Sequence, residues 1–167
     1  MNSRILIIGI GSPFGDDRLG WEAAEGLRRS TSMAALPPER IEISQLDRPG
    51  TMLLAHWRRT DTVILIDAVR SGAAPGTGHR LDVGDLAGVG APCSSHGFGI
   101  LSAIELARAL GDMPARLLLR GIEVDPLWTG FSLSSAVARA LPSLVADIAG
   151  EVHMLAHIQQ PAAANTA

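Results

Sequence analysis

The chain has 167 residues, of which 47% are hydrophobic and 19% charged, and this composition excludes general disorder and favours a globular protein with a large core. The 14 basic and 17 acidic residues give a formal net charge of −3, which offers no electrostatic reason to expect nucleic acid as a partner. A single cysteine, Cys93, excludes an internal disulfide and favours the cytoplasm, and no apolar run approaches the roughly 18 residues of a membrane span. We therefore expect one domain over residues 1–158 and a flexible C-terminal tail over residues 159–167.

The first elements along the chain are predicted to be a strand, a glycine-containing loop and a helix. Residues 4–8 are mostly β-branched and apolar, which predicts a strand that is covered on both faces. Residues 19–29 place Leu19, Ala23 and Leu27 on one helical face, which predicts an amphipathic helix.

The rest of the chain repeats this alternation of strand and helix patterns. Further strands are predicted at residues 41–46, 63–66 and 116–124, with an edge strand at residues 79–83 after a glycine-rich segment. Helices are predicted at residues 50–57 and 97–110, and residues 132–158 are predicted to form one or two closing helices, broken or kinked near Pro142 or Gly150. Such alternation predicts a single-domain, three-layer α/β/α fold with a mostly parallel twisted sheet of about five strands.

Three side chains are predicted to meet at one rim of this sheet. Asp17 follows the first strand, Asp67 ends an apolar strand, and His96 immediately precedes a predicted helix. Ligands of open α/β sheets bind beyond the carboxyl ends of the strands, where such residues collect. Two carboxylates and an imidazole suit nickel, zinc or manganese, and three protein ligands leave coordination positions open for a substrate. A divalent cation would also offset the repulsion between two carboxylates, roughly 1 to 4 kcal/mol at about 4 Å.

Each of these residues also has a structural interpretation when it is taken alone. Asp16 or Asp17 can cap a helix, and Asp67 can form a salt bridge with Arg70. His96 can cap the helix that begins beside it, and a lone histidine is more often structural than a metal ligand. Only the occurrence of all three together favours a metal site.

The glycines after the first strand invite a dinucleotide-binding interpretation, which the neighbouring residues do not favour. The third glycine of a G-x-G-x-x-G pattern would fall at Phe14. Asp16 and Asp17 would put two negative charges where a pyrophosphate should lie. The glycines are therefore expected to form a tight turn, and no organic cofactor is predicted.

The remaining histidines and the cysteine give weaker indications. His153 and His157 share a helical face, but the segment between them lacks the glutamate of the H-E-x-x-H pattern, so an ordinary helical face is expected. His56 and His79 have no partner that the sequence reveals. Cys93 lies near His96, but no Cys-His-Asn or Ser-His-Asp arrangement can be placed.

Several segments, in order, resemble those of the [NiFe]-hydrogenase maturation endopeptidases. They are residues 5–20 (ILIIGIGSPFGDDRLG), 67–69 (DAV) and 95–97 (SHG), together with residues 121–124 (GIEV) and 130–137 (GFSLSSAV) near the family's closing strand and helix. The resemblance spans nearly the whole chain. Ser12 stands where the family usually has asparagine, and Arg18 where a glycine commonly follows the acidic pair.

This resemblance implies an endopeptidase of α/β fold that removes a C-terminal extension from the precursor of the [NiFe]-hydrogenase large subunit once nickel is inserted. It implies that the nickel belongs to the substrate and that no organic cofactor is tightly bound. Residues 47–51 (DRPGT) look like the family's Asp-Gly-Gly-Thr turn with an insertion. The implied catalytic and metal-contacting residues are Asp17, Asp67 and His96, with Asp16 and Asp47 as further catalytic candidates and Thr51 as a candidate for substrate positioning.

Two other functions fit the same residues. A self-sufficient metal-dependent peptidase or amidohydrolase would use the same three side chains to hold its own zinc. A noncatalytic nickel-binding maturation factor would bind metal without cutting a peptide. Neither nucleic acid nor a membrane is an expected partner, and the sequence leaves the oligomeric state open.

Overall fold

The computed structural model of the chain describes residues 4–83, 93–94 and 97–158. His96 and the predicted tail, residues 159–167, lie outside the described residues. The strands are β1 (Ile5–Gly11), β2 (Ile41–Asp47), β3 (Thr62–Arg70), β4 (Gly78–Asp82), β5 (Cys93–Ser94) and β6 (Arg116–Glu123). The α-helices are α1 (Leu19–Arg29), α2 (Thr31–Ala34), α3 (Gly97–Leu110) and α4 (Ser135–Ile158), and 3-10 turns lie at Gly15–Arg18, Pro38–Arg40 and Gly50–His56.

The strands form one mostly parallel sheet in the order β2-β1-β3-β6-β4. β2, β1, β3 and β6 run parallel, β4 is antiparallel to β6, and the two-residue β5 is antiparallel to the end of β3. β1 lies between β2 and β3, and all seven of its residues are buried, as its apolar composition predicts. The predicted α/β fold is confirmed.

Helices cover both faces of the sheet. Alternate strand residues, represented by Ile7, Ile64 and Leu118, pack on the face covered by α1 and α4. Their sequence neighbours, represented by Leu65 and Leu117, face α3 and the 3-10 turn Gly50–His56. The side-chain alternation of a strand thus divides the core into two layers. None of the helices in the described ranges is long and apolar enough to cross a membrane.

The beginning of α1 packs directly on β1 through glycines. A Cβ atom on Gly20 would overlap the carbonyl oxygen of Ile10 and lie 2.6 Å from the carbonyl oxygen of Ile66. A Cβ atom on Gly9 would overlap the carbonyl oxygen of Gly20 in turn. The absence of side chains at both positions brings the helix into backbone contact with β1 and β3.

One predicted strand boundary is wrong, and the structure decides between the alternatives that the sequence left open for the last helix. β3 continues through Asp67 to Arg70, because β6 pairs with it as far as Val69 and β5 pairs with its last two residues. α4 is one continuous helix over 24 residues and includes Pro142. Proline removes a helix hydrogen bond, but tertiary packing of the helix offsets this loss. The packed residues of α4 include Val137, Leu144, Ile148 and Val152.

A buried ion pair joins α4 to the sheet. The Arg120 guanidinium on β6 donates from Nε and Nη2 to the two carboxylate oxygens of Glu151, at 2.8 and 2.6 Å. Its Nη1 donates to the carbonyl oxygens of Leu81 and Leu119 at 3.1 and 2.7 Å. Burial opposes the charge of Arg120, but the hydrogen bonds and negative charges of Glu151 and Asp82 together outweigh it and raise the pKa of the guanidinium. This pairing satisfies two charges that would be costly to bury separately.

Candidate active site

The carboxyl ends of three neighbouring parallel strands form one rim. Gly11 at the end of β1 pairs with Asp47 at the end of β2. On the other side, Gly9 pairs with Ile66, the residue before Asp67 in β3. The chain leaving β1 enters the 3-10 turn Gly15–Arg18, which packs against β1 and β3. This topology brings the acids after β1, at the end of β2 and near the end of β3 to the same edge of the sheet.

Asp17 lies in this 3-10 turn and is partly buried. Ser12 holds the turn, because its backbone N–H donates to the Asp17 carbonyl at 3.1 Å and its Oγ donates to Asp17 Oδ2 at 3.3 Å. A Cβ atom on Gly11 would overlap the carbonyl oxygen of Asp17, so a glycine is needed where the chain folds back. Ser12 therefore holds the carboxylate of Asp17, the candidate metal ligand, through a hydrogen bond of its side chain.

Asp67 is buried, with 5% of its surface exposed. Its Oδ1 accepts a hydrogen bond from the N–H of Ala68 at 2.8 Å. Because side chains alternate along β3, Asp67 faces the same side as Leu65, which is the side covered by α3. The carboxylate is therefore presented inside the layer between the sheet and α3, near the end of the strand.

Asp16 differs from its neighbour in both burial and bonding. Only 6% of its surface is exposed, and its Oδ1 accepts a hydrogen bond from the N–H of Ser134 at 2.6 Å. Ser134 precedes α4, and its own Oγ accepts from the N–H of Val137 at 3.5 Å. Asp16 thus connects the turn after β1 to the start of α4, which is a structural task.

Asp47 is half exposed and forms a salt bridge with Arg48, with 2.6 Å between Oδ1 and Nε. This hydrogen bond is the main cause that raises the pKa of Arg48, and the negative charge of Asp17 contributes to the same shift. Arg48 is therefore within electrostatic reach of Asp17. The turn has positive φ angles of 41° at Arg48 and 53° at Gly50, and Thr51 is exposed beyond them.

His96 lies outside the described residues, but the elements on either side of it are described. Ser94 of β5 pairs with Val69 of β3, and α3 begins at Gly97. The described parts of the chain contain no group of three His, Cys, Asp or Glu residues clustered to hold a metal, and His96 is not among the residues that this statement covers. The metal-contact set of Asp17, Asp67 and His96 stays a prediction.

The sequence did not reveal the partner of His79. Its Nε2 lies 2.8 Å from Oε2 of Glu123, whose side chain is 3% exposed. Oε1 of the same carboxylate accepts from the N–H groups of Ser71 and Gly72 at 2.8 and 2.9 Å, and Oε2 accepts from Ser71 Oγ at 2.8 Å. Because 44 residues separate His79 from Glu123, no local pattern could have indicated their bond.

These contacts predict an acid-dependent loss of stability. Burial alone would raise the pKa of Glu123, but the hydrogen bonds from Ser71, Gly72 and His79 outweigh it and lower the pKa below its ordinary 4.5. The carboxylate therefore stabilises the fold above pH 4.5, and this contribution is lost as the pH falls through the lowered pKa. Urea unfolding at a series of acidic pH values should show a weaker pH dependence in Glu123→Gln than in the wild-type protein. Identical slopes would contradict this assignment.

Several large apolar side chains are exposed just before the turn that bears Asp16 and Asp17 and in the segment of residues 127–131, which bonds to that turn. Phe14, Leu127 and Phe131 are 59%, 84% and 80% exposed, and the rings of Phe14 and Phe131 lie 6.4 Å apart. The N–H of Gly15 donates to the Phe131 carbonyl at 3.0 Å, and Trp128 Nε1 donates to the carbonyl oxygen of Ser132 at 2.9 Å. We call Phe14, Leu127, Trp128 and Phe131 the apolar rim surface. Clustered exposed apolar groups of this kind mark surfaces that bind other molecules.

The two helical histidines have ordinary contacts, as expected. His153 Nε2 lies 2.8 Å from the carbonyl oxygen of Ser32, and His157 Nδ1 lies 2.7 Å from that of His153. Both nitrogens bond to backbone carbonyls. His153 therefore links α4 to α2, and His157 stabilises the last turns of α4.

Known proteins resemble this chain in sequence. The model of the hydrogenase maturation protease family matches residues 36–151. Hydrogenase expression/formation protein HupD from Thiocapsa roseopersicina is 32% identical over 122 residues, which are 71% of this chain but only 53% of that protein, so the chain spans about half the length of this relative. HupD from Rhodobacter capsulatus is 28% identical over 89% of this chain and 71% of its own length.

Solved structures give the same result. The hydrogenase maturating endopeptidase HybD from Escherichia coli superposes with a TM-score of 0.74 at 26% identity, over 90% of this chain and 93% of that one. The [NiFe] hydrogenase maturation protease HybD from Thermococcus kodakarensis has a TM-score of 0.63 at 22% identity, over 89% and 98% of the two chains, and shows the shared fold. The chain belongs to the hydrogenase maturation protease family.

Proposed function

We propose that this protein is an endopeptidase that removes the C-terminal extension from the precursor of a [NiFe]-hydrogenase large subunit after nickel insertion. Family membership supports the reaction class. The observation that carries the proposal is the packing of the 3-10 turn that bears Asp17 against the strand that bears Asp67, at the carboxyl end of the sheet. Ligand sites of open α/β sheets form at this end.

In this proposal Asp17, Asp67 and His96 contact the nickel ion that the precursor carries. Two acids at one rim repel each other, and a bound divalent cation removes that repulsion. A precursor without nickel would leave the carboxylates without a cation, so it should dock less favourably. Substrate recognition would then also test whether the metal has been inserted.

Peptide hydrolysis also needs a group that takes a proton from the attacking water. As the water adds to the scissile carbonyl, its proton passes to a carboxylate and then to the leaving amine when the C–N bond breaks. Asp47 suits this role better than Asp16, because Asp47 is half exposed at the rim whereas Asp16 is buried and bonded to Ser134.

The apolar rim surface supports a polypeptide substrate. Phe14 directly precedes the turn that bears Asp17, and the carbonyl of Phe131 bonds to the Gly15 N–H of that turn, so a polypeptide that reaches Asp17 can also contact this surface. A polypeptide can cover these exposed side chains with its own apolar groups, and this contact removes apolar surface of both molecules from water. A small polar substrate would gain little from it.

The direct test mixes the purified enzyme with nickel-loaded precursor and follows the intact mass of the precursor. We expect one truncated product that has lost its C-terminal extension, with unrelated short peptides left uncut. Turnover of unrelated peptides by an enzyme that retains stoichiometric metal after dialysis would instead indicate a self-sufficient metallopeptidase. Nickel binding without truncation would indicate a noncatalytic maturation factor.

A further inference from the structure

His79 and Asp67 occupy the same row of the sheet. Asp67 of β3 pairs with Gly121 of β6, and Gly121 pairs in turn with His79 of β4. Residues in register across a sheet project to the same face, so both side chains project towards α3. Two strand spacings put their Cα atoms about 10 Å apart. Gly121 between them has no side chain, and Val69 Cγ2 lies 2.7 Å from the place where a Cβ atom of residue 121 would be.

A small cavity joins the two side chains. Its volume is about 40 Å³, and Asp67 and His79 line it together with Gly121 and apolar residues that include Leu65 and Ile100. A cavity holds a water molecule when its volume exceeds about 10–15 Å³ and polar groups are available to bind that water. Asp67 and His79 supply polar groups in surroundings that are otherwise largely apolar.

The bond to Glu123 determines which ring nitrogen of His79 carries the proton when the ring is neutral. The carboxylate accepts bonds from Ser71 and Gly72, which favour its ionised form, and it has no proton to donate to His79. His79 Nε2 must therefore carry the proton in their 2.8 Å bond. In the neutral ring this leaves Nδ1 with a lone pair, and none of the side chains that the structure describes, in residues 4–83 and 100–158, bonds to Nδ1.

We propose that His79 is a positioning residue for Asp67, acting through a water in this cavity that donates one hydrogen bond to His79 Nδ1 and the other to the Asp67 carboxylate. The role in catalysis rests on the proposed function, because Asp67 is there a contact to the substrate's nickel. The bridge holds the buried carboxylate in one orientation. Outer groups that orient a metal-binding side chain commonly change activity by about 10–100-fold when they are removed.

The kinetic test compares His79→Leu with His79→Gln. Leucine removes both polar atoms, so we expect kcat for precursor cleavage to fall about 10–100-fold with KM unchanged. Glutamine keeps a donor for Glu123 and an acceptor for the water, so we expect kcat within a few-fold of the wild-type value. His153→Leu is the matched control, because His153 also forms one bond to a polar group but lies on α4, and it should leave kcat unchanged.

A second measurement needs neither nickel nor precursor. Nitrogen-15 NMR of the histidine rings should show His79 protonated at Nε2 in the wild-type protein. Asp67→Asn should shift the Nδ1 resonance of His79, whereas Asp112→Asn at an exposed salt bridge should not. This readout also decides the case if His79→Leu fails to fold.

The outcomes separate the two proposals. A wild-type enzyme that does not truncate the precursor would overturn the proposed function, while the NMR shift would still support the bridge between His79 and Asp67. Normal truncation by the wild type together with an unchanged kcat in His79→Leu would overturn the role of His79 alone. An Nδ1 resonance that does not respond to Asp67→Asn would also overturn it.

Discussion

Replacing Asp17 by asparagine should lower precursor processing by more than about 100-fold, since losing a direct metal contact should cost more than losing an outer group that orients one. The substitution keeps the size of the side chain and an oxygen that can accept from Ser12 Oγ, which lies 3.3 Å from Asp17 Oδ2. It removes the negative charge that, in our proposal, attracts the nickel ion of the substrate. The change therefore tests the charge of the side chain and spares its packing. Processing is measured as the rate of precursor truncation.

The control for this variant is Asp112→Asn. Asp112 is an exposed acid that pairs with Arg59 at 3.2 Å, and its removal should change neither processing nor the melting temperature appreciably. Circular dichroism should show that both variants keep the wild-type fold. An Asp17→Asn enzyme that processes the precursor at the wild-type rate would move the site away from this turn.

Replacing Gly20 by alanine should give one of the largest losses of stability that a single methyl group can cause in this chain. The new Cβ would overlap the carbonyl oxygen of Ile10 and lie 2.6 Å from the backbone N of Ile10 and the carbonyl oxygen of Ile66. These are backbone atoms of the two central strands, so the contact can be relieved only if α1 moves away from the sheet. We expect the free energy of unfolding to fall by about 3 kcal/mol or more, at the upper end of overpacking effects.

Gly150→Ala provides a matched control for this prediction. Gly150 also lies in a helix, but a Cβ atom placed there would meet no atom within 4 Å. Alanine is about 0.5–1 kcal/mol better than glycine in a helix interior, so this variant should be slightly more stable than the wild type. Urea denaturation of both variants measures the difference, and equal stability of Gly20→Ala and the wild type would contradict the close packing of α1.

The sequence predicts the central part of the fold well because its signals are local. The apolar run in β1 and the helical spacing in α1 each reflect burial of the element that carries them. Asp17 and Asp67 stand out because each acid is close to an apolar strand. The parallel order of the strands then follows from the alternation of strand and helix.

Features that depend on distant partners could not be predicted in this way. The extension of β3 to Arg70 requires β5 and β6 as neighbours, and neither pairing is visible within β3 itself. Likewise, Asp16 and Ser134 are 118 residues apart, so the sequence alone could not show that Asp16, unlike its neighbour Asp17, bonds to the start of α4. The bond between His79 and Glu123 was missed for the same reason.

The most direct test of the central claim compares nickel-loaded and nickel-free precursor as substrates for the same purified enzyme. Our proposal is that Asp17, Asp67 and His96 bind the metal ion that the substrate carries. We therefore expect truncation of the loaded precursor, little or no truncation of the empty one, and recovery of cleavage when nickel is inserted into the empty precursor. Equal rates of truncation for the two forms would contradict nickel recognition.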